Sequence, residues 1–349
     1  DEFAEEKIAA FVNPDQGHKF MMYTWGGMIG VVSGMNEKGL TVTINAGKSR
    51  IPWVAKTPIS LVAREILQYA GTTAEAIEIA KKREVFVSEA IMIGSAAERK
   101  AILIEVAPNN LGVYEVVNTN LLICSNHFQS EAFREDNRNQ KTQKESHTTY
   151  RFNRMQELLE EREALTPVKA AGILRNKEGL GGESIGLGNE KAINQLLAHH
   201  GIIFKPEENK VWISSNPYQL GAFVAYDLKE AFEKFINGNQ SQSVAIEDLT
   251  IPEDDFVRSR AFRDYEEFRS LNEEIIAKEY KVEESKITRL ISLNPHNWKS
   301  WAVAGDYYYL KKNYKKAVIH FKQAQKREVT TVPDEKWLKK MIKKSYRKF

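Results

Sequence analysis

The order of strand-like and helix-like segments over the first 237 residues most constrains how this chain can fold. Ten short segments rich in apolar residues, several of them alternating with polar ones, predict strands. They span residues 21–25, 28–34, 40–45, 90–95, 100–106, 112–117, 121–125, 201–205, 210–214 and 222–226. Helical periodicity occurs in two blocks, at 57–82 and 150–199. Strands and helices grouped in blocks favour an α+β fold with antiparallel sheets over alternating βαβ units.

Local signals indicate where helices begin and where loops lie. Thr57 followed by Pro58 is typical of a helix N-terminus, and Thr72 or Thr73 is expected to cap the next helix. The second helical block is expected to hold three helices, at residues 150–161, 166–175 and 190–199. Two segments predict loops, a polar lid candidate and a mobile stretch with five glycines: residues 130–147 and 177–188.

Composition divides the chain into three parts. Residues 1–237 carry the mixed pattern, 238–290 form an acidic connector that is helical from 247 to 286, and 291–349 form a helical appendage. In the appendage, six residues fall at positions 4, 8, 11, 20, 24 and 27 of a 34-residue helix pair: Trp301, Gly305, Tyr308, Ala317, Phe321 and Ala324. This spacing is typical of a tetratricopeptide repeat. Because one repeat cannot bury its own face, we expect it to pack on the preceding helices or on the main domain.

Charge is unevenly distributed along the chain. The net charge is +3, but residues 291–349 hold 15 Lys and Arg against 4 Asp and Glu. Such a region can bind nucleic acid or an anionic surface. Here the lysines recur at helical spacing without Arg–aromatic interleaving, which favours a solvated face and predicts no nucleic-acid binding. No run of about 18 apolar residues predicts a transmembrane helix, and the single cysteine excludes an internal disulfide and a cysteine-based zinc site within this chain.

Three polar residues are the candidates for chemistry: Asn45, Asn126 and Arg151. Each Asn ends a predicted strand, and the Arg opens a predicted helix. Attack on an amide carbonyl builds negative charge on its oxygen, and a preorganised neutral donor such as an Asn amide supplies roughly 3 kcal/mol of stabilisation. The sequence contains no P-loop, dinucleotide-binding glycine motif or zinc-protease motif.

The segment Ser33-Gly34-Met35-Asn36-Glu37-Lys38-Gly39-Leu40, followed by these three residues, resembles a pattern of the N-terminal-nucleophile (Ntn) hydrolases. The resemblance is to the choloylglycine hydrolases and the acyl-coenzyme A:6-aminopenicillanate acyltransferases, and it covers most of residues 1–230. It implies a four-layer αββα sandwich. It also implies an oxyanion hole made by the main-chain N–H of Asn45 and the side-chain amide of Asn126, with Arg151 near the nucleophile. Asn36 is expected to shape its turn.

The resemblance also implies a mechanism. In this superfamily a chain-terminal Cys, freed by autocatalytic cleavage of a precursor, attacks the amide and forms a thioester, while its own α-amine acts as the base. No metal or organic cofactor is expected. The chain shown begins at Asp1, and its only cysteine is Cys124. The resemblance therefore implies a nucleophile encoded upstream of residue 1, and we expect Asp1 near the mouth of a cleft.

Cys124 and His127 form an alternative nucleophile–base pair. Residues three apart on a strand point to opposite faces of the sheet. An apolar neighbourhood also raises the pKa of a thiol, which leaves it less reactive. We therefore expect Cys124 to be a packing residue.

The sequence favours a hydrolase or acyltransferase acting on a small acyl-amide. The alternative is a non-catalytic binding or scaffold protein that keeps the sandwich and binds a protein partner through the C-terminal helices. Six aromatic residues are candidates for an acyl pocket, although core packing is the commoner fate of such residues: Phe11, Tyr23, Trp25, Trp53, Phe128 and Trp212. The sequence leaves the oligomeric state and the location open, whether cytoplasmic, periplasmic or secreted.

Two structural expectations follow for the candidate site. Asn45 and Asn126 should lie on neighbouring strands of one sheet, with the ends of those strands converging near Arg151. None of the proposed groups lies beyond residue 286, so the C-terminal region is expected to be dispensable for the chemistry.

Overall fold

The computed structural model describes residues 7–47, 56–160, 164–198, 200–236 and 243–349. Within these residues, seven strands form one antiparallel sheet in chain order. They are β1 (Lys7–Val12), β2 (Phe20–Trp25), β3 (Ser33–Asn36), β4 (Leu40–Ala46), β5 (Glu89–Ser95), β6 (Lys100–Ala107) and β7 (Asn110–Tyr114). A second antiparallel sheet has the order β11–β10–β9–β8. Its strands are β8 (Ile202–Lys205), β9 (Lys210–Ser214), β10 (Phe223–Asp227) and β11 (Ala245–Ile251).

Eleven α-helices accompany the sheets in the described part of the chain, so the expected mixture of helices and antiparallel sheets is confirmed. They are α1 (Ile59–Tyr69), α2 (Thr73–Lys81), α3 (Asn137–Glu145), α4 (Thr148–Leu159), α5 (Pro167–Leu174), α6 (Leu228–Ile236), α7 (Arg260–Ala277), α8 (Glu284–Leu293), α9 (Trp298–Leu310), α10 (Tyr314–Gln325) and α11 (Val332–Tyr346). None of these described helices combines the length and hydropathy needed to cross a bilayer.

Local sequence accounts for several of the helix ends. Thr72 caps α2 and forms a capping box with Glu75, as the sequence predicts. The expected cap of α1 is wrong by one residue. Pro58 is its N-cap, and Thr57 instead pairs in an isolated bridge with Val85.

Both faces of the first sheet are covered, which explains why β2 is apolar at consecutive positions. On one face, Phe20 and Met22 pack with Ile66 and Leu67 of α1. Met21 lies on the other face and belongs to a separate cluster. The period of two along a strand therefore divides β2 between two cores.

The second of these cores joins the two sheets. Met21 and Tyr23 of β2 pack against Val211 and Ile213 of β9, together with Phe232 of α6. The intervening residue of β9, Trp212, packs on the opposite side of the second sheet. There it joins Phe223, Ala225 and Ala171, the last from α5.

Several predicted strands differ in the structure. Strands at 40–45, 90–95, 100–106, 210–214 and 222–226 are confirmed within one or two residues. The strand predicted at 121–125 is wrong, because that segment pairs with neither sheet. Residues 28–32 are likewise not a strand, and β1 was not predicted. Residues 247–251 form β11 and not a helix, since they pair with β10.

The polar segment 130–147 is not the expected loop. It holds a 3₁₀ turn (Glu131–Phe133) and helix α3, which Asp136 caps by accepting hydrogen bonds from the N–H groups of Arg138 and Asn139. The segment has too few apolar residues to show a helical period in the sequence, yet its Phe133 is fully buried. The segment is therefore an ordered part of the fold.

The helix predicted at 190–199 is also wrong, since the described residues 190–198 form turns and bends. Side-chain hydrogen bonds compete with helix formation here. Asn194 accepts from the N–H of Leu196 and donates to the main-chain oxygen of Tyr218 at 2.8 Å, and Leu196 has a φ of 52°. His199 lies outside the described residues.

The C-terminal helices share one aromatic core. It includes Tyr265 and Phe268 of α7, Trp298 and Tyr308 of α9, and Phe321 of α10. Four residues from the first 237 positions also pack in this core: Leu187, Leu196, Tyr218 and Leu220. Helices α9 and α10 form the pair on which the tetratricopeptide prediction rests, and that assignment stays a prediction, as does the three-part division of the chain.

Candidate active site

Asn45 lies near the end of β4, opposite Ala90 of β5. Its side-chain Nδ2 donates to the sulfur of Cys124 at 3.3 Å. The preceding N–H, that of Ile44, donates to Val32 on the β3 side of the strand. Since successive residues of a strand direct their main-chain groups to opposite sides, the main-chain N–H of Asn45 points towards β5. The side-chain amide is therefore the group of Asn45 that reaches the 124–126 segment.

Asn126 connects the end of β4 to helix α4. Its Nδ2 donates to the main-chain oxygen of Ala46 at 3.0 Å, and its Oδ1 accepts a hydrogen bond from Nη2 of Arg151. Asn126 follows an irregular segment, so the expectation that it lies on a strand next to that of Asn45 is wrong. The three candidate residues nevertheless lie together, through contacts that span 25 to 80 positions of sequence.

Arg151 lies in the first turns of α4 and is only 8% exposed. Its Nη1 donates to the main-chain oxygen of Glu190 at 3.2 Å. Burial lowers the pKa of Arg151 to about 10, and the nearby Glu190 opposes that shift. The guanidinium is therefore still charged at neutral pH and places a fixed positive charge beside Asn126.

A buried polar network holds the 125–130 segment in its irregular path. Asn139 of α3 accepts from the N–H of Phe128 at 2.8 Å and donates back to its oxygen at 3.0 Å. Ser125 donates to the main-chain oxygen of Thr148 at 3.0 Å. The Asn139 bonds satisfy the main-chain N–H and oxygen of Phe128, groups that a strand would pair with a neighbouring strand.

Glu105 is a second anchor of this segment and is fully buried on β6. Its carboxylate accepts from the N–H groups of Gln129 and Ser130 and from the Ser130 hydroxyl, at 2.6 to 2.9 Å. Burial raises the pKa of Glu105, and these hydrogen bonds oppose the rise. Neither Glu105 nor Asn139 was predicted from the sequence as a site residue. A lone charge inside the apolar strand Ile102–Val106 was the available signal for Glu105, whereas Asn139 had none.

Cys124 and His127 face different partners. The thiol contacts Asn45 and packs beside a small apolar cluster that includes Phe128. Burial raises the pKa of Cys124 to about 12, which opposes thiolate formation. His127 lies 3.0 Å from the Thr148 hydroxyl, and its ring packs on Phe152. This geometry supports packing as the role of Cys124 and gives no Cys–His pair among the described residues.

The aromatic pocket candidates lie mostly in the cores. Phe128 and Trp212 are at most 4% exposed, and Tyr23 and Phe11 pack between the sheets. Trp53 and Asp1 lie outside the described residues. A cavity of about 830 Å³ lies beside the end of α4 and is lined by apolar side chains that include Leu121, Leu158, Leu165 and Ile173. In the described part of the chain, no cluster of His, Cys, Asp and Glu is arranged to hold a metal ion.

The protein is an α+β protein with antiparallel sheets, and its candidate site is a group of polar residues at the end of strand β4. The family model of acyl-coenzyme A:6-aminopenicillanic acid acyl-transferase matches residues 4–214, well over half of the chain. The chain therefore belongs to this family, and the resemblance found in the sequence is confirmed to that extent. No curated protein matches the chain.

Several solved structures are similar to the chain. An N-acylethanolamine-hydrolyzing acid amidase ortholog from Caenorhabditis elegans is 16% identical, with a TM-score of 0.37 over 50% of this chain and 75% of that one. Penicillin V acylase from Agrobacterium tumefaciens is 17% identical, with a TM-score of 0.27 over 35% of this chain and 42% of that one. A mutant conjugated bile acid hydrolase from Clostridium perfringens is 13% identical, with a TM-score of 0.32 over 63% of this chain and 80% of that one.

Proposed function

We propose that the protein hydrolyses or transfers the acyl group of a small amide through an N-terminal Cys encoded upstream of residue 1. The observation that carries the proposal is the position of Asn126 between the end of β4 and Arg151. An amide group held on both sides is preorganised, as an oxyanion donor must be. The family match over residues 4–214 supports the same reaction class.

We further propose the four-layer αββα arrangement for this region. Three separate cores support it: one between α1 and the first sheet, one between the two sheets, and one between the second sheet and α5. The strand end that carries Asn45 then lies at one edge of the sandwich, where a substrate has access to it.

In the proposed reaction the Cys thiolate attacks the amide carbonyl and a C–S bond forms. The C–N bond then breaks, and the leaving amine takes a proton from the α-ammonium group. Water or a second amine then attacks the resulting thioester and gives a proton to the now neutral α-amine, the C–S bond breaks, and the thiolate leaves. In both steps the carbonyl oxygen becomes negatively charged, and the side-chain amides of Asn45 and Asn126 donate to it.

The present partners of the two amides fit this role. Asn45 donates to a sulfur atom, which is a weak acceptor, so an oxyanion readily replaces it. Asn126 receives its orientation from Arg151. The charge of Arg151 also favours the thiolate form of a nearby Cys.

Trapping of the acyl-enzyme tests this proposal. Protein expressed from the whole gene is mixed with a panel of chromogenic N-acyl amides, quenched in acid within milliseconds to seconds, and digested for mass spectrometry. We expect the acyl mass on a chain-terminal Cys. An acyl group on Cys124 contradicts the assignment, and the absence of both acylation and turnover favours the non-catalytic binding protein.

A further inference from the structure

The segment 185–191 connects the proposed site to the C-terminal helices. The main-chain oxygen of Glu190 accepts a hydrogen bond from Nη1 of Arg151 at 3.2 Å. The same guanidinium donates through Nη2 to Asn126. The Arg151 guanidinium thus links the main chain at Glu190 to the side-chain amide of Asn126.

Helices α8 and α9 hold this segment through its main chain. Asn294 and Asn297 both donate from Nδ2 to the oxygen of Leu187, at 2.8 and 2.9 Å. Gly186 has a φ of 82°, and a Cβ there would lie 2.3 Å from the main-chain nitrogen of Asn297. Only glycine permits this approach, so the segment and the start of α9 lie in direct contact.

Residues between α10 and α11 hold the same segment from another direction. Asn189 donates from Nδ2 to the main-chain oxygen of Glu328 at 2.8 Å and accepts at Oδ1 from the Thr330 hydroxyl at 3.3 Å. Lys191 forms an ion pair with the Glu328 carboxylate. The segment is thus bound on both sides of Glu190.

The carboxylate of Glu190 is held by α9 itself. Lys299, in the first turn of α9, lies 2.9 Å from Oε1, and His147 lies 3.8 Å from Oε2. Burial works against the charged form, but Lys299, His147 and Arg151 together hold the pKa of Glu190 below its usual range. Without Lys299, the permanently charged neighbour among these three that remains for this carboxylate is the Arg151 guanidinium.

We propose that the C-terminal helices position Arg151, and through it Asn126, by holding segment 185–191, with the Lys299–Glu190 ion pair as the principal contact. Lys299 and Glu190 are positioning residues, because neither touches the reacting atoms. The kinetic consequence rests on the proposed function. On this proposal the region beyond residue 286 contributes to the chemistry, contrary to the expectation from the sequence, which stays a prediction.

The test compares two lysines on the C-terminal helices of the full-length protein. Lys299→Met should lower kcat roughly 10-fold with KM nearly unchanged, a smaller loss than the roughly 100-fold expected for a 1 Å misplacement of a catalytic group. Lys299→Arg keeps the charge and should stay within about threefold of wild type, because a single point contact does not require an ammonium. The matched control is Lys316→Met. Lys316 has similar exposure and pairs with Glu284 at 2.7 Å within the helical region, so kcat should not change.

A double-mutant cycle shows whether Lys299 acts through Glu190. Glu190→Ala alone should lower kcat about as much as Lys299→Met does, roughly 10-fold. In the Glu190→Ala background, Lys299→Met should have no further effect, because the carboxylate that it holds is gone. Additive losses overturn the proposal.

Amide hydrogen exchange gives a readout that does not depend on activity. Lys299→Met should speed exchange in peptides covering 185–191 and 121–128, and Lys316→Met should not. If Lys299→Met matches Lys316→Met in both kcat and exchange, the proposal is wrong. If the wild-type protein acylates no Cys and turns over no amide, the proposed function fails, and the exchange experiment alone decides whether the C-terminal helices hold the site.

Discussion

The two-sheet region and the C-terminal helices obtain their order from different interactions. Apolar side chains on both faces of β2 fill separate cores in the first region, while buried polar groups such as Glu105 and Asn139 fix the site segment. The C-terminal helices instead share one core rich in aromatic rings, including Trp298 and Phe321. Polar hydrogen bonds at segment 185–191 join the two regions. The chemistry is expected where buried polar groups converge, and the proposed role of the aromatic region is to position one of these groups, Arg151.

Loss of the central aromatic ring in the C-terminal core should have the largest effect on stability. Phe321 is fully buried and meets Trp337 edge-on at 5.7 Å. Phe321→Ala should lower the free energy of unfolding by about 3–5 kcal/mol, as expected for a truncated buried aromatic. Denaturant titration followed by tryptophan fluorescence measures the change. Phe349→Ala is the control. Because Phe349 is 54% exposed, this change should alter the free energy of unfolding by less than about 0.5 kcal/mol. Equal changes in the unfolding free energy for the two variants would contradict the assigned core.

Removal of the Asn126 amide should show the opposite pattern, with a large effect on rate. Asn126→Ala should lower kcat by roughly 100- to 1000-fold, the cost of one lost oxyanion donor. KM should change little, because the charge that the amide meets exists mainly in the transition state. Steady-state kinetics on a chromogenic amide measure both, with Asn109→Ala in the exposed β6–β7 turn as the control. A kcat equal to that of wild type would remove Asn126 from the site.

Glu89 should make stability depend on pH. Burial raises the pKa of Glu89, next to the end of β4, from 4.5 to about 7, and a hydrogen bond from Gly47 opposes the rise. Its folded pKa exceeds its unfolded pKa. Its contribution to stability is therefore complete below about pH 4.5 and is lost as the pH rises through about 7.

The variant Glu89→Gln cannot ionise, so it should be more stable than wild type above pH 7 by about 1–2 kcal/mol, a figure reduced for partial solvent contact. The difference should vanish below pH 5 in thermal or denaturant melts. Glu131→Gln, with a side chain that is 74% exposed, should differ from wild type by less than about 0.5 kcal/mol at every pH. A difference that does not change with pH would show that folding leaves the pKa of the Glu89 carboxyl unshifted.

Loss of the Cys124 thiol should have the smallest effect. Cys124→Ala should leave turnover within a few-fold, because burial raises the pKa of this thiol to about 12 and keeps it neutral. The alkaline limb of the pH–rate profile should also stay in place. If the variant folds, as judged by circular dichroism, yet loses all turnover, the upstream nucleophile is wrong and Cys124 itself becomes the candidate nucleophile.

Much of the central sheet could be predicted because its signals are local. The strands Leu40–Ala46 and Glu89–Ser95 are largely apolar and have turn residues near their ends. Their alternating side chains pack against a core. Asn36 was expected to shape a turn, and its Oδ1 indeed accepts from the N–H groups of Lys38 and Leu40. Such contacts join neighbours in sequence, so the residue types alone indicate them.

The failures share a physical cause in long-range hydrogen bonds. The 121–125 segment has strand-like composition, but the 125–130 stretch that follows it finds its partners on Asn139 and Glu105. Residues 190–198 have helix-like composition, but Asn194 bonds to Tyr218. Polar partners of this kind leave no periodic signal in the sequence, because only the packed fold brings them into reach.

The same division applies to the candidate site. The residue types and their places at the ends and starts of elements, together with the resemblance to a known family, selected Asn45, Asn126 and Arg151 from the sequence. Only the tertiary structure shows that Arg151 orients Asn126 and that Glu190, 39 residues further on, accepts from the same guanidinium. Lys299 reaches that glutamate from 109 residues away. Hydrophobic periodicity records which faces are buried, whereas the direction of a buried donor depends on what other elements place beside it.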